Sequence, residues 1–308
     1  KLYYRPKKER EPIDFLSKKK VFFTISLVLI AAGVITIGVN AGRGKGAFAY
    51  SLEFQGGTST NVTFDKDYSI DEIDKEIVPV VEKVTGDNNV QTQKVAGTNQ
   101  VIIKTVTLDL DKREALNKAM VDNFGVDESK ITAENISSTV SNEMRRDAVI
   151  AVVIATICML LYIWFRFKDI RFATSAVLAL LHDVLVVVGF YAIARISVGN
   201  TFIACMLTIV GYSINATIVI FDRIREEMRG KTKSSDVAAV VNKSITQTLT
   251  RSIYTSLTTF IMVAVLYVMG VSSIKEFALP LMVGVVCGAY SSVCITGALW
   301  YVMKRFKK

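Results

Sequence analysis

Three sets of polar residues fall inside otherwise apolar stretches of this sequence, and their types suit the movement of an ion or a proton. Asp183 stands beside the lone histidine, His182, in "ALLHDVLVVVGF", and a carboxylate next to an imidazole can hold or pass a proton. Thr208, Asn215 and Asp222 recur every seven residues in "LTIVGYSINATIVIFDRIREE". They therefore share one stripe of a helix, with Gly211 adjoining it to let another backbone approach. Arg251 opens the third run, with Thr255, Thr258 and Thr259 one and two turns further on its own face. Hydroxyls leading inward from a cation can relay protons or bind the polar groups of a substrate.

Charged side chains inside a bilayer cost about 2.5–3.5 kcal/mol each on insertion scales, so they mark ion paths by default. Each set also has a plainer reading: a structural hydrogen bond for Asp183, helix packing for Asn215, a positive-inside anchor for Arg251. Asp183 lies twelve residues beyond Arg171, about 18 Å along a helix at about 1.5 Å per residue. That is near a bilayer centre if the span begins at Phe172.

These residues need membrane spans to carry them. The chain has 308 residues, is 51% hydrophobic and carries a formal charge of +9 with mean hydropathy +0.38, a mixture of spans and soluble sequence. Six runs have bilayer-crossing length: about 21–39, 148–165, 172–193, 201–221, 253–270 and 278–302. Lys and Arg set orientation. The head 1–20, the loop "RFKDIR", the loop 222–252 and the tail 303–308 hold 22 basic residues on one side of six alternating spans, whereas 40–147 carries 13 basic against 18 acidic residues. Both termini are predicted to be cytoplasmic and 40–147 extracytoplasmic. The basic balance then reflects topology and contact with anionic lipids, and no nucleic-acid signature is present.

All four cysteines fall in the spans and read as small buried hydrophobes, with no disulfide framework and no metal site expected. "AFA" at 47–49 resembles a signal-peptidase site, but Arg43 and Lys45 precede it, so an uncleaved first span is expected. The chain opens on Lys1 rather than Met, as a fragment or processed product does. "RGKTK" at 229–233 lacks the Walker glycine, because Arg225 stands in its place. No nucleotide cofactor and no enzyme chemistry is expected.

From Tyr50 the pattern becomes that of a soluble α+β domain. "YSLEFQGGTSTNVTF" reads as a strand, a tight bend at Gly56-Gly57 and a continuing strand. Ile70, Ile73, Ile77, Val80, Val81 and Val84 have helical spacing behind an N-cap Ser69, with Gly86 at the end. A hairpin turning at Gly97-Thr98-Asn99, a second helix ending at Gly125 and a last strand in "SKITAENISS" complete the order βαββαβ, the ferredoxin-like arrangement. That fold names no function. The domain holds no His or Cys, and its carboxylates Asp71, Glu72, Asp74 and Glu76 lie on a helix face, so an interaction module is expected.

"GYSINATIVIFDRIREE", "TLTRSIYTSLTT", "HDV" and "FALPLMVGVVCGAYSS" together resemble the SecF members of the SecD/SecF protein-export family, relatives of the resistance-nodulation-division transporters. The likeness runs from "DFLSKKKVFF" to the sixth span. "SLEFQGG" is similar to the element that opens this family's exported domain, with Glu53, Gly56 and Gly57 at its acidic and glycine positions. The Lys-rich head resembles a linker from a SecD half. The resemblance implies a six-span half-transporter beside the SecYEG channel and a membrane insertase, working with SecD and a proton or sodium gradient on unfolded exported polypeptide. It assigns Arg251 to the ion path, together with an acidic residue of the fourth span.

That acidic position is Ala216 here. A methyl group exchanges no proton, so coupling requires another carboxylate, such as Asp183 or one in SecD, or a cation held by water and Asn215. Otherwise this half is uncoupled. Two other functions remain open: a small-molecule or lipid exporter of the same superfamily, and a scaffold for the export complex.

Overall fold

The structure is a computed structural model and describes residues 11–43, 46–87, 90–95, 97–167, 169–229, 236–270 and 272–305. The basic head as far as residue 10 and the "GKTK" of the Walker-like stretch lie outside the described residues. The chain divides into two units, one of 1–49, 152–196 and 201–308, the other of 50–151 with 197–200.

The large unit is helical. Its elements are α1 (Lys19–Gly42), α4 (Ser138–Phe167, shared with the small unit), α5 (Ile170–Ala194), α6 (Asn200–Met228), α7 (Val237–Met269) and α8 (272–305). Among the described residues six helices are long and apolar enough to cross a membrane, one within each of these elements. The helices outrun the predicted spans. The stretch 222–252, expected as a loop, is helical at both described ends. Ile220, Phe221 and Ile224 continue the buried face of α6, and Val240, Val241 and Ile245 bury one face of α7 behind the N-cap Asp236, which accepts from Ala238 N–H at 2.9 Å. "FDRIREE" is therefore the last turns of α6 and not a turn out of it.

The core of this unit gathers Leu16, Phe172, Phe221, Ile245 and Trp300. Phe172 stacks on Trp300 at 4.9 Å and meets Phe221 edge-on at 4.7 Å. Gly33 of α1 and Gly189 of α5 meet backbone to backbone, since a Cβ on Gly33 would stand 2.7 Å from the Gly189 Cα. Small residues at such a crossing replace side-chain packing by close helix approach. α8 contains Pro280 and widens into a π turn over Ser291–Thr296. Cys158 is exposed, against the expectation of burial, because α4 buries little of its apolar surface; Cys205 and Cys287 are buried.

The small unit is a four-stranded antiparallel sheet: β1 (Gly57–Thr63), β2 (Gln91–Lys94), β3 (Gln100–Thr105) and β4 (Ile131–Ile136), in the spatial order β2-β3-β1-β4. Two helical segments connect them, α2 (70–85) and α3 (Leu110–Phe124). Their buried residues Ile73, Ile77, Val81, Leu116 and Met120 form one core with Val62, Val101 and Ile103 of the sheet. Ser69 and Glu72 close a capping box at the start of α2. Pro79 lacks the N–H that would complete the helical ladder, and the preceding turn Ile73–Ile77 widens to π geometry.

The stretch "YSLEFQGG" departs from the expected bent strand. Residues Leu52–Gln55 form one helical turn, with the Ser51 carbonyl accepting from Phe54 and Gln55 N–H at 3.0 Å, and the strand begins only at Gly57. The two glycines carry the change of direction at φ 73° and 120°, and a Cβ on Gly57 would stand 2.2 Å from the Thr105 carbonyl oxygen. Alternation alone could not reveal this, because the helical turn is only four residues long.

Candidate functional site

Helices α6 and α7 form an antiparallel pair whose register is set by three polar contacts. Tyr212 donates to Ser256 Oγ at 2.7 Å, Arg223 Nε donates to Gln247 Oε1 at 2.7 Å, and Lys243 pairs with Glu227 at 3.2 Å. Numbers rise along α6 as they fall along α7. Ala216, one turn beyond Tyr212 on the same side, is thereby carried to the level of Ser252, one turn before Ser256, beside Arg251.

At about 100° per residue, the consecutive "GYS" of α6 points in three directions. Gly211 is exposed on the outer face, Tyr212 meets α7, and Ser213 is buried against α5 and α8. Asn215 and Thr208 are exposed with Gly211, so the predicted stripe exists and faces away from the helical unit. On α7, Arg251, Thr255 and Thr258 are exposed too. Thr255 and Thr258 return their hydroxyls to the Arg251 and Tyr254 carbonyls, at 2.7 and 2.9 Å. Neither the Asn215 amide nor the Arg251 guanidinium makes a hydrogen bond or ion pair among the described residues. Asp222 differs from the rest of its stripe, since it accepts from Arg166 of α4 at 2.8 Å.

Asp183 belongs to a separate, inward site. It is wholly buried, and its Oδ2 accepts from Ser213 Oγ at 2.5 Å and Ser291 Oγ at 2.7 Å. Its Oδ1 accepts from the Cys287 thiol at 3.3 Å and lies 2.9 Å from His182 Nδ1. Four polar groups from three helices thus surround one carboxylate, which is how a buried acid is sustained in an apolar setting. Ser213 faces this cluster from α6 while Asn215, 200° further round, faces out. The structure therefore does not bring Asp183 together with Arg251 and Asn215.

Sequence reasoning missed Tyr212, Ser213, Ser256, Cys287 and Ser291. A hydroxyl repeating at i and i+4 with the buried Cys287, as Ser291 does, was the available signal, but serine and cysteine are common in spans and their partners lie up to 108 residues away.

In the small unit, Glu53 Oε2 accepts from Ser51 Oγ at 2.8 Å and lies 3.5 Å from Asn200 N. Gly56 and Gly57 shape the start of β1. Glu53 thus links the helical turn 52–55 to Asn200, and the two glycines shape the backbone that leads into β1.

Comparisons with known proteins agree on a family. Residues 116–306 match the family profile described as protein export membrane protein SecD/SecF, C-terminal. A protein translocase subunit SecF of Petrotoga mobilis is 36% identical over 303 residues, covering 96% of this chain and 98% of the relative. A protein translocase subunit SecDF of Bacillus subtilis is 36% identical over 304 residues, and the match covers 94% of this chain and 38% of that protein. The crystal structure of SecDF, a translocon-associated membrane protein from Thermus thermophilus, superposes with TM-score 0.84 at 29% identity, over 98% of this chain and 40% of that one.

Proposed function

This chain belongs to the SecD/SecF family of protein-export membrane proteins as an accessory translocase subunit of the SecF type, and from that premise we propose that it is one half of an ion-driven export motor. The observation that carries this reading is the outward polar face of the helix pair: Thr208, Gly211 and Asn215 of α6 with Arg251, Thr255 and Thr258 of α7, all exposed on membrane-length helices. Polar groups facing lipid are costly. A partner bundle, the SecD half, covers them and completes a path for protons or sodium ions along the wall they form. The 38% and 40% of the fused SecDF proteins that this chain spans are what a SecF half would occupy.

In this reading both termini are cytoplasmic. The small unit, whose strand order and helices fit the ferredoxin-like fold, is extracytoplasmic and meets unfolded polypeptide leaving SecYEG, with a membrane insertase and anionic lipids as neighbours. No nucleotide drives the cycle. The test is maturation of an exported protein in cells lacking the protein and rescued by this chain with its SecD half. Rescue that stops when the proton and sodium gradients are collapsed supports the motor, and rescue that survives the collapse of both removes it.

Ala216 favours a second reading, an uncoupled scaffold for the export complex. It stands beside Arg251 without a carboxylate, and Asp183 lies on the other side of α6.

A further inference from the structure

His182 Nδ1, Asp183 Oδ1 and Cys287 Sγ face one another as a closed triangle of nitrogen, oxygen and sulfur, with separations of 2.9, 3.3 and 3.9 Å. We propose that this triangle binds one divalent transition-metal ion of the zinc type, fastening α5 to α8 inside the helical unit. Sequence spacing does not reveal it, since the cysteine lies 104 residues from the aspartate.

Three observations carry the inference. The first is chemical. Imidazole, carboxylate and thiolate are the ligands of Zn2+, at about 2.0–2.3 Å from the metal, and a thiolate with an imidazole selects that class of ion over Mg2+ or Ca2+. Three donor atoms spaced as these are can share one ion of that size, leaving a fourth position for water.

The second observation is the shell behind the ligands. Asp183 turns Oδ1 toward His182 and Cys287 while Ser213 and Ser291 both hold Oδ2. A ligating carboxylate is normally oriented in this way by hydrogen bonds to its other oxygen. Ser291 opens the π turn of α8, and such turns occur frequently at functional sites.

The third is charge. His182 and Cys287 are each 7% exposed and Asp183 is wholly buried. A carboxylate, a thiolate and a neutral imidazole together neutralise a divalent cation, which is the condition for holding it in a low-dielectric interior. On binding, the thiol proton leaves to solvent and the sulfur–metal bond replaces the S–H bond, with no change of oxidation state.

The probe is Co2+, titrated into the full chain purified in detergent, stripped with a chelator and freed of any histidine tag. The expected result is one equivalent bound, with the visible bands of a four-coordinate site and a thiolate-to-cobalt charge-transfer band in the near ultraviolet, both removed by one equivalent of Zn2+. Cys287→Ser abolishes the charge-transfer band. Joint replacement of Cys158, Cys205 and Cys294 by Ser leaves it. Ser291→Ala keeps the thiol and weakens binding about 10–100-fold, the usual effect of losing a group that orients a ligand. Absence of the band in the unaltered chain overturns the proposal, as does a band of equal strength in Cys287→Ser; the triangle is then a hydrogen-bonded core only. Should Cys287→Ser fail to fold, His182→Gln takes its place, with loss of binding expected and unchanged binding overturning the site.

Discussion

The Tyr212 hydroxyl donates to Ser256 Oγ at 2.7 Å, and this bond ties α6 to α7 one turn before Ala216 and one turn beyond Ser252, the chain neighbour of Arg251. Tyr212 also separates the two polar sites of α6. The residue before it faces outward, and the residue after it faces the buried carboxylate.

Tyr212→Phe deletes the hydroxyl without changing the ring. The expected loss is about 0.5–1.5 kcal/mol of stability, the usual net value of one hydrogen bond. Ser256→Ala should cost a similar amount. The double variant should cost less than the two combined, because both changes remove one interaction. Thermal unfolding of the three variants in detergent checks this, and strict additivity would show that the pair is not coupled.

Ala216→Asp places a carboxylate at the level of Ser252 and its neighbour Arg251, whose guanidinium has no partner among the described residues. The helix register places position 216 at the level of Ser252, next to Arg251 in the chain. If this half is a weakened motor, the substitution should raise export activity that depends on the ion gradient. The added Arg251→Ala change should abolish the gain, since the new carboxylate then lacks its counter-charge. Export measured with and without an uncoupler decides the point, and no gain favours the scaffold reading.

Much of this architecture is legible in the sequence alone. Runs of bilayer length fix the six spans, because hydrogen-bonding demand inside lipid leaves few alternatives to a helix. The order of strands and helices in the small unit follows from period-two and helical spacing, with Ser69 and Gly125 marking helix ends. The outward stripe of Thr208 and Asn215 came from a seven-residue repeat. What was not legible depends on which helices neighbour one another. Ser213, Cys287 and Ser291 acquire meaning only when α5, α6 and α8 meet, and Ala216 acquires its neighbour only through the register with α7. The ends of helices were misjudged for a related reason: 222–228 and 237–252 are polar enough to resemble a loop, yet bury one face each.

Gly33→Ala should destabilise the helical unit. The added methyl would lie 2.7 Å from the Gly189 Cα, and neither backbone can yield without opening the α1–α5 crossing. Overpacking of this kind costs about 1–3 kcal/mol. Gly38→Ala, in the same helix with open space around its Cβ position, is the control and should be neutral or slightly stabilising. Thermal unfolding in detergent distinguishes the two.

Gly57→Ala should destabilise the small unit, for two reasons that act together. A residue at φ 120° is strained in any L side chain, at about 1–3 kcal/mol, and the Cβ would collide with the Thr105 carbonyl that pairs β1 to β3. Gly97→Ala meets only the φ penalty, since open space surrounds its Cβ position. Amide hydrogen exchange on the full chain should show faster opening of 57–63 and 100–105 in Gly57→Ala than in Gly97→Ala.

The last prediction concerns pH. Lys66 Nζ donates to Glu72 Oε1 at 2.9 Å, and the Ser69 N–H donates to Glu72 Oε2 at 2.7 Å. The lysine first, and the Ser69 backbone and hydroxyl after it, hold the Glu72 carboxyl down at about 2. A carboxyl depressed by folding contributes stability that is fully present above its ordinary value of 4.5 and is lost as pH falls toward 2. Lys66 is raised by the same pair, so its share is present at and below its ordinary 10.5 and is lost only at more alkaline pH. The carboxyl carbon of Glu72, followed by NMR, should therefore titrate well below the ordinary value of 4.5. The thermal midpoint of the small unit should exceed that of Glu72→Gln near neutrality, and the two should converge as pH approaches 2. A Glu72 titration near 4.5 would contradict the depression, and a midpoint difference unchanged down to pH 2 would assign the contribution to packing instead of charge.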